Sequence, residues 1–164
     1  MIEVEEVVQA LSRAGVRFII IGGVAATIHG SARLTEDLDV VYDREPDNLA
    51  RLADALAPYQ PYLRGAPAGL PFRWDAETLR RGLNLTLATS LGDIDVLGEV
   101  AGGGTYSKLL PDTVDVNLFG AECRCVRLDR LILLKRAAGR PKDREALAEL
   151  EAMLEERRRA DRQQ

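Results

Sequence analysis

Two aspartates one residue apart, Asp37 and Asp39, and a second such pair, Asp93 and Asp95, are the residues in this chain whose type and spacing suit them to chemistry. On an extended segment, residues i and i+2 share a face and lie about 6.5 Å apart along the backbone, so both carboxylates of a pair can lean toward one hard cation. Oxygen ligands of this kind suit Mg²⁺, which keeps several of its waters. A solvated strand edge can carry the same Asp-x-Asp pattern, so the elements around each pair have to decide.

Upstream of the first pair, Arg17 to Ile21 is a short apolar run that breaks at Gly22-Gly23, the mark of a core strand ending in a tight turn. Val24 to His29 has helical composition. The two glycines leave backbone N–H groups unobstructed, so the first helical turn can present donors and its dipole to an anion, with phosphate the obvious candidate. A loop through Gly30, Ser31 and Arg33 leads back to β character at Leu38–Val41, which carries Asp37 and Asp39 on one face. Downstream, Asn84–Thr89 alternates polar and apolar residues, Ser90-Leu91-Gly92 reads as a turn, and Asp93–Leu97 as the second strand of a hairpin. A strand bearing Asp37 and Asp39 and another bearing Asp95 can bring three acids together in one sheet. Clustered like charges are costly unless cations neutralise them.

The other elements read as support. Residues 3–14 place Val4, Val7, Val8 and Leu11 at helical spacing before Gly15. Asp47 is expected to cap a helix from about Asn48 to Leu56, stopped by Pro58 and Pro61. Tyr59–Pro71 is rich in Pro, Gly and Ala, with Tyr59, Tyr62, Arg64, Phe72, Arg73 and Trp74 in or beside it; such a loop can wall a site or be an irregular connection held by its aromatics. Asp75–Arg81 suits one short helix, and Gly102-Gly103-Gly104 a flexible rim turn. Two more strands are expected over Thr113–Leu118 and Glu122–Val126, then a buried helix from Leu128 and a last helix over about Lys142–Arg158, with a frayed tail from Glu155. His29, the single histidine, reads as a structural contact more readily than as a base.

At 164 residues and 46% hydrophobic, the chain suits one domain with a real core. It contains no run of about 20 apolar residues such as a membrane span needs, and its acidic N-terminus does not resemble a signal peptide, so a cytoplasmic protein is expected. Cys123 and Cys125 are too close in sequence for an unstrained disulfide on a strand and supply half a structural zinc set, so packed thiols are expected. The net charge of -4 argues against a protein that coats nucleic acid. Its distribution is uneven: 10 basic against 18 acidic residues over 1–123, 8 against 2 over 124–144, and 4 against 6 over 145–164. The basic segment suits a polyphosphate or a local nucleic-acid contact, or is a solvated helix face.

The ordered set Gly22-Gly23, His29-Gly30-x-x-Arg33-x-Thr35-x-Asp37-x-Asp39, then Asp95, and then Lys135-x-x-Ala138-Gly139-Arg140-x-Lys142-Asp143 resembles the DNA polymerase β-type nucleotidyltransferase superfamily, in particular its small bacterial minimal and abortive-infection-type members. The resemblance runs from Phe18 to about Leu150. It implies an α+β fold, a mixed β-sheet with helices packed mainly on one face, with the C-terminal helices (about 127–158) packed on the same domain. It also implies roles. Gly22 and Gly23 would open a phosphate-binding turn. Asp37, Asp39 and Asp95 would hold two Mg²⁺ (or Mn²⁺) ions and orient a nucleoside triphosphate for in-line displacement, Asp95 also helping to deprotonate the attacking hydroxyl. Asp93 is the alternative third acid if the register slips by two. Where the family has Gly-Ser, this chain has Gly-Gly followed by Val24; Ser31 or Thr35 could supply the hydroxyl, and Lys135, Arg140 and Lys142 part of the phosphate grip, unless they form ordinary salt bridges with Asp143. Three functions follow as expectations: transfer of a nucleoside monophosphate to an RNA, protein or small-molecule hydroxyl; a non-catalytic relative that binds a partner protein or nucleotide, for example in a toxin–antitoxin pair; or an unrelated α+β domain with solvated acids.

Overall fold

The computed structural model describes residues 1–141 and 143–164. The elements run α1 (Val4–Arg13), β1 (Phe18–Ile21), α2 (Gly22–Ile28), β2 (Asp37–Tyr42), α3 (Pro46–Leu56), β3 (Tyr62–Leu63), α4 (Ala76–Arg81), β4 (Asn84–Thr89), β5 (Gly92–Leu97), β6 (Glu99–Val100), β7 (Gly104–Thr105), α5 (Tyr106–Leu109), β8 (Thr113–Leu118), β9 (Ala121–Val126), α6 (Leu128–Ala138) and α7 (Asp143–Arg162). Seven strands make one mixed sheet in the order β3-β4-β5-β2-β1-β9-β8, and β6 and β7 form a separate ribbon. This is the α+β arrangement expected from the sequence.

The centre of the sheet positions the acids. β1 is fully apolar and buried, as a strand covered on both faces must be. It pairs antiparallel with β2, setting Ile21 opposite Asp39. β2 pairs parallel with β5, in a register that sets Asp37 beside Asp93 and Asp39 beside Asp95. Between these acids Leu38, Val40, Ile94 and Val96 are fully buried on the opposite face, so a one-residue slip would exchange core for carboxylate. The hairpin β4–β5 closes with Thr89 opposite Gly92, whose φ of +112° a side chain would strain.

Helices α1 and α3 pack together, and α1 also rests on β9; α2 lies on β1 and β2 and against α6, which in turn carries α7. Among the described residues no helix is long and apolar enough to cross a membrane.

Several local expectations need correction. Asp47 does not cap α3. The helix starts two residues earlier than expected, at Pro46, whose fixed φ suits a first helical position, and Asp47 instead accepts from the Arg17 guanidinium at 3.0 Å. The three glycines at 102–104 are packed rather than free: a Cβ at each would come within 2.7 to 2.8 Å of Ala137, Leu134 or Lys108. The tail does not fray at Glu155; α7 continues to Arg162 as an exposed helix. The expected start of that helix at Lys142 lies outside the described residues.

Candidate active site

Asp37, Asp39 and Asp95 each place a carboxylate oxygen within 4.8 Å of the others, and among the described residues they are the only such trio of potential metal ligands. Asp93, beside Asp37 on β5, shares their strand face but is not one of the three. The register therefore gathers Asp95, not Asp93, with the first pair.

The three are not equivalent. Asp39 sits deepest, and burial first, then the neighbouring charges of Asp37 and Asp95, push its carboxyl up to about 7. Its Oδ1 is buried with no hydrogen-bond partner. A buried carboxylate oxygen left without a donor, among two further carboxylates, needs either a proton or a cation. Oxygen donors so gathered fit Mg²⁺ or Mn²⁺ and do not suit a soft metal.

The turn from β1 into α2 is built around the same carboxylate. Gly22 has φ +69°, and a Cβ there would collide with the Asp39 side chain. At Gly23 a Cβ would lie 2.7 Å from the Thr35 hydroxyl, which itself donates to the Asp37 carbonyl at 2.9 Å. Both glycines are thus demanded by neighbours that belong to the acid-bearing segment, and the space beside Gly23 is filled by the hydroxyl of Thr35. Ile21 offers no capping side chain, which leaves the first N–H groups of α2 to other acceptors.

A cleft of about 520 Å³ opens over these groups, a size typical of small-molecule sites. Gly22, Gly23, Ser31, Arg33, Thr35, Lys135 and Arg140 all line it, together with Asp37, Asp39 and Asp95. Lys142 lies outside the described residues. The cations in the cleft are engaged. Lys135 lies 3.6 Å from Asp143, and Arg140 donates to the same carboxylate at 2.9 Å. Burial would push the Asp143 carboxyl up, but the Arg140 bond and the Lys135 charge outweigh it and hold it below the usual range. Arg33 is tied to α7, at 2.9 Å from Glu149 and 3.4 Å from Glu145, and the Ala32 N–H also donates to Glu149. Ser31 is buried, its hydroxyl accepting from the Arg33 N–H.

No protein-family model matches the chain, and no curated protein does. Among solved structures, a candidate nucleotidyltransferase from Thermotoga maritima superposes with a TM-score of 0.58 over 91% of this chain and 94% of that one, at 12% identity. The fold is a nucleotidyltransferase fold. At that identity the likeness extends to the fold alone, and the trio of acids is an observation on this chain.

Two residues outside the sequence motifs belong to the site. Arg64, directly after β3, donates to Asp95 at 2.7 Å and lies 3.2 Å from Asp93. Its place in a Pro- and Gly-rich stretch, after a strand of only two residues, hid the alternation that would have pointed it at β5. Glu149 anchors the loop before the acids; its helical spacing from Glu145 was the available signal. His29 is structural: Nε2 lies 2.7 Å from the Val126 carbonyl, which it can only meet as donor, so Nδ1 accepts from Arg157 at 3.2 Å. Burial, then the Arg157 charge, lower its pKa.

Proposed function

We propose that this chain is a cytoplasmic, metal-dependent nucleotidyltransferase that transfers a nucleoside monophosphate from a nucleoside triphosphate to an acceptor hydroxyl, residues 1–164 acting as one domain. The observation that carries the reading is the convergence of Asp37, Asp39 and Asp95 in one cleft with the Gly22-Gly23 turn and with Lys135 and Arg140. The Thermotoga maritima neighbour, named as a candidate nucleotidyltransferase, supports it at the level of fold.

In this reading Asp37, Asp39 and Asp95 hold two Mg²⁺ or Mn²⁺ ions, which supply charge neutralisation at the phosphates and polarise the reacting oxygens. The N–H groups at the start of α2, which no side chain caps, would face the outer phosphates, and the Thr35 hydroxyl, bonded to the Asp37 carbonyl, would hold that turn against the acid-bearing segment. Ser31 shapes the loop, and Arg33, Lys135, Arg140 and Lys142 supply positive charge around the triphosphate. The acceptor oxygen bonds to the α-phosphorus as the bond to the β-phosphate oxygen breaks, and pyrophosphate leaves. The acceptor's proton passes to the Asp95 carboxylate. With the Asp39 carboxyl pushed up to about 7 by burial and by the charges of Asp37 and Asp95, a cation that binds there would favour its ionised form.

Incubation with labelled triphosphates, Mg²⁺ or Mn²⁺ and a cell extract should label an acceptor, and Asp39→Asn should not. No label, together with no metal-dependent triphosphate binding in calorimetry, refutes the assignment. A non-catalytic, partner-binding role, as in a toxin–antitoxin pair, draws support from one feature: Arg64 on Asp95 and Asp143 on Lys135 and Arg140 already pair the site's charges. A stoichiometric partner in pull-down with no turnover, alone or in complex, would favour that role.

A further inference from the structure

Arg64 reaches Asp95 from across β4, on the acids' own face of the sheet, and is not among the residues that line the cleft. Its backbone N–H donates to the Thr86 carbonyl at 3.0 Å, so it continues the pairing of β3 with β4. The guanidinium then crosses β4, donating through Nη2 to the Leu87 carbonyl at 3.0 Å and to Asp95 Oδ1 at 2.7 Å. Nε lies 3.2 Å from Asp93 Oδ2 but is buried without an aligned hydrogen-bond acceptor. One cation is therefore shared between two carboxylates: firmly bonded to Asp95, close to but poorly aligned with Asp93. Asp93 is the more exposed of the two, with 45% of its side chain accessible against 20% for Asp95.

This arrangement has a consequence for cation binding that the acids alone would not predict. Asp95 Oδ1 already holds a charge-assisted bond from Arg64, so a divalent ion drawing on that carboxylate competes with a guanidinium already bound to it. The displaced guanidinium has a second seat within reach at Asp93. Resting on the reading of Asp37, Asp39 and Asp95 as metal ligands, we propose that Arg64 is a built-in counter-cation that competes with the divalent ion for Asp95, with Asp93 as the carboxylate onto which it withdraws. Arg64 offsets the charge of Asp95 on the β5 side until cation binding strong enough to move it occurs. The same observations could serve a strut that orients Asp95 for metal, and the two roles predict opposite signs.

The test is Mn²⁺ binding to the full chain without nucleotide, followed by electron paramagnetic resonance of the free ion and by calorimetry. Arg64→Gln should bind Mn²⁺ about tenfold more tightly than wild type, the size expected when one charge-assisted bond no longer has to be displaced. Arg64→Lys, which keeps the charge and loses the fork, should fall between them. Asp93→Asn should weaken binding in wild type by more than it does in the Arg64→Gln background, because only with Arg64 present does Asp93 act as its second seat. Equal or weaker binding by Arg64→Gln overturns the proposal in favour of a strut. Absence of Mn²⁺ binding from wild type and variants alike overturns it together with the metal reading. Retention of binding by Asp39→Asn places the ion elsewhere, and overturns both as well. Circular dichroism melts of each variant verify that the fold is kept.

Discussion

Asp39→Asn should make the metal-free protein more stable while removing its metal binding. The carboxyl of Asp39 is raised from 3.8 to about 7, by burial and by the charges of Asp37 and Asp95. That rise of about three pKa units, at about 1.4 kcal/mol each, bounds the cost of the ionised form at roughly 4 kcal/mol. Water reaching the partly open site, and sharing of the proton with its neighbours, reduce this, and about 2 kcal/mol is expected. The folded pKa lies above the unfolded one, so the stability from the bound proton is fully present below about pH 4 and is lost as pH rises through about 7. Thermal melts followed by circular dichroism at pH 8 with chelator should therefore place Asp39→Asn above wild type by roughly 4–8 °C, given about 2–4 °C per kcal/mol for a chain of this length. At pH 5, where Asp39 keeps its proton, the gap should close. Added Mg²⁺ should raise wild type alone. A variant that melts at or below wild type at pH 8, or a gap that persists at pH 5, refutes the account of Asp39 as a strained carboxylate.

Three further outcomes are expected. Gly22→Ala places a Cβ into the Asp39 carboxylate at a backbone φ of +69°; a loss of about 2 kcal/mol or more in denaturant melts, together with weakened Mn²⁺ binding, should follow. Lys135→Gln removes one of the two cations on the buried Asp143, which should lower stability by about 1–2 kcal/mol and weaken triphosphate binding in calorimetry; unchanged values for both would remove Lys135 from the site. Burial pushes the Cys125 thiol up to about 12, so it should react with a thiol reagent only after unfolding, and fast native-state modification of Cys125 would contradict the packing of β9.

The sheet was legible because its chemistry is local. An apolar run that breaks at Gly22-Gly23, and acids alternating with Leu38, Val40, Ile94 and Val96, fix strand identity and which face each side chain takes. The trio followed because Asp39 and Asp95 are forced into register by those buried partners. What stayed hidden depends on geometry between distant segments. Arg64 meets Asp95 only because β3, two residues long, lies at the sheet edge two strands from β5. Asp47 resembles a cap in sequence, and only the approach of Arg17 diverts it. The three glycines at 102–104 carry the composition of a loose turn, whereas the packing of α6 against Gly102 and Gly103, and of Lys108 against Gly104, is a tertiary fact.

The ion pairs of Arg33 with Glu145 and Glu149 join the loop before the acids to the last helix, and Asp143 at the start of that helix holds the cations on the facing wall. The two sides of the cleft are thus fastened to one element. A ligand that bridges the two walls would therefore also hold that helix in place, and by thermodynamic reciprocity anything that orders the helix would strengthen the binding. Amide protection along α7 would then read occupancy of a cleft to which most of its residues contribute nothing.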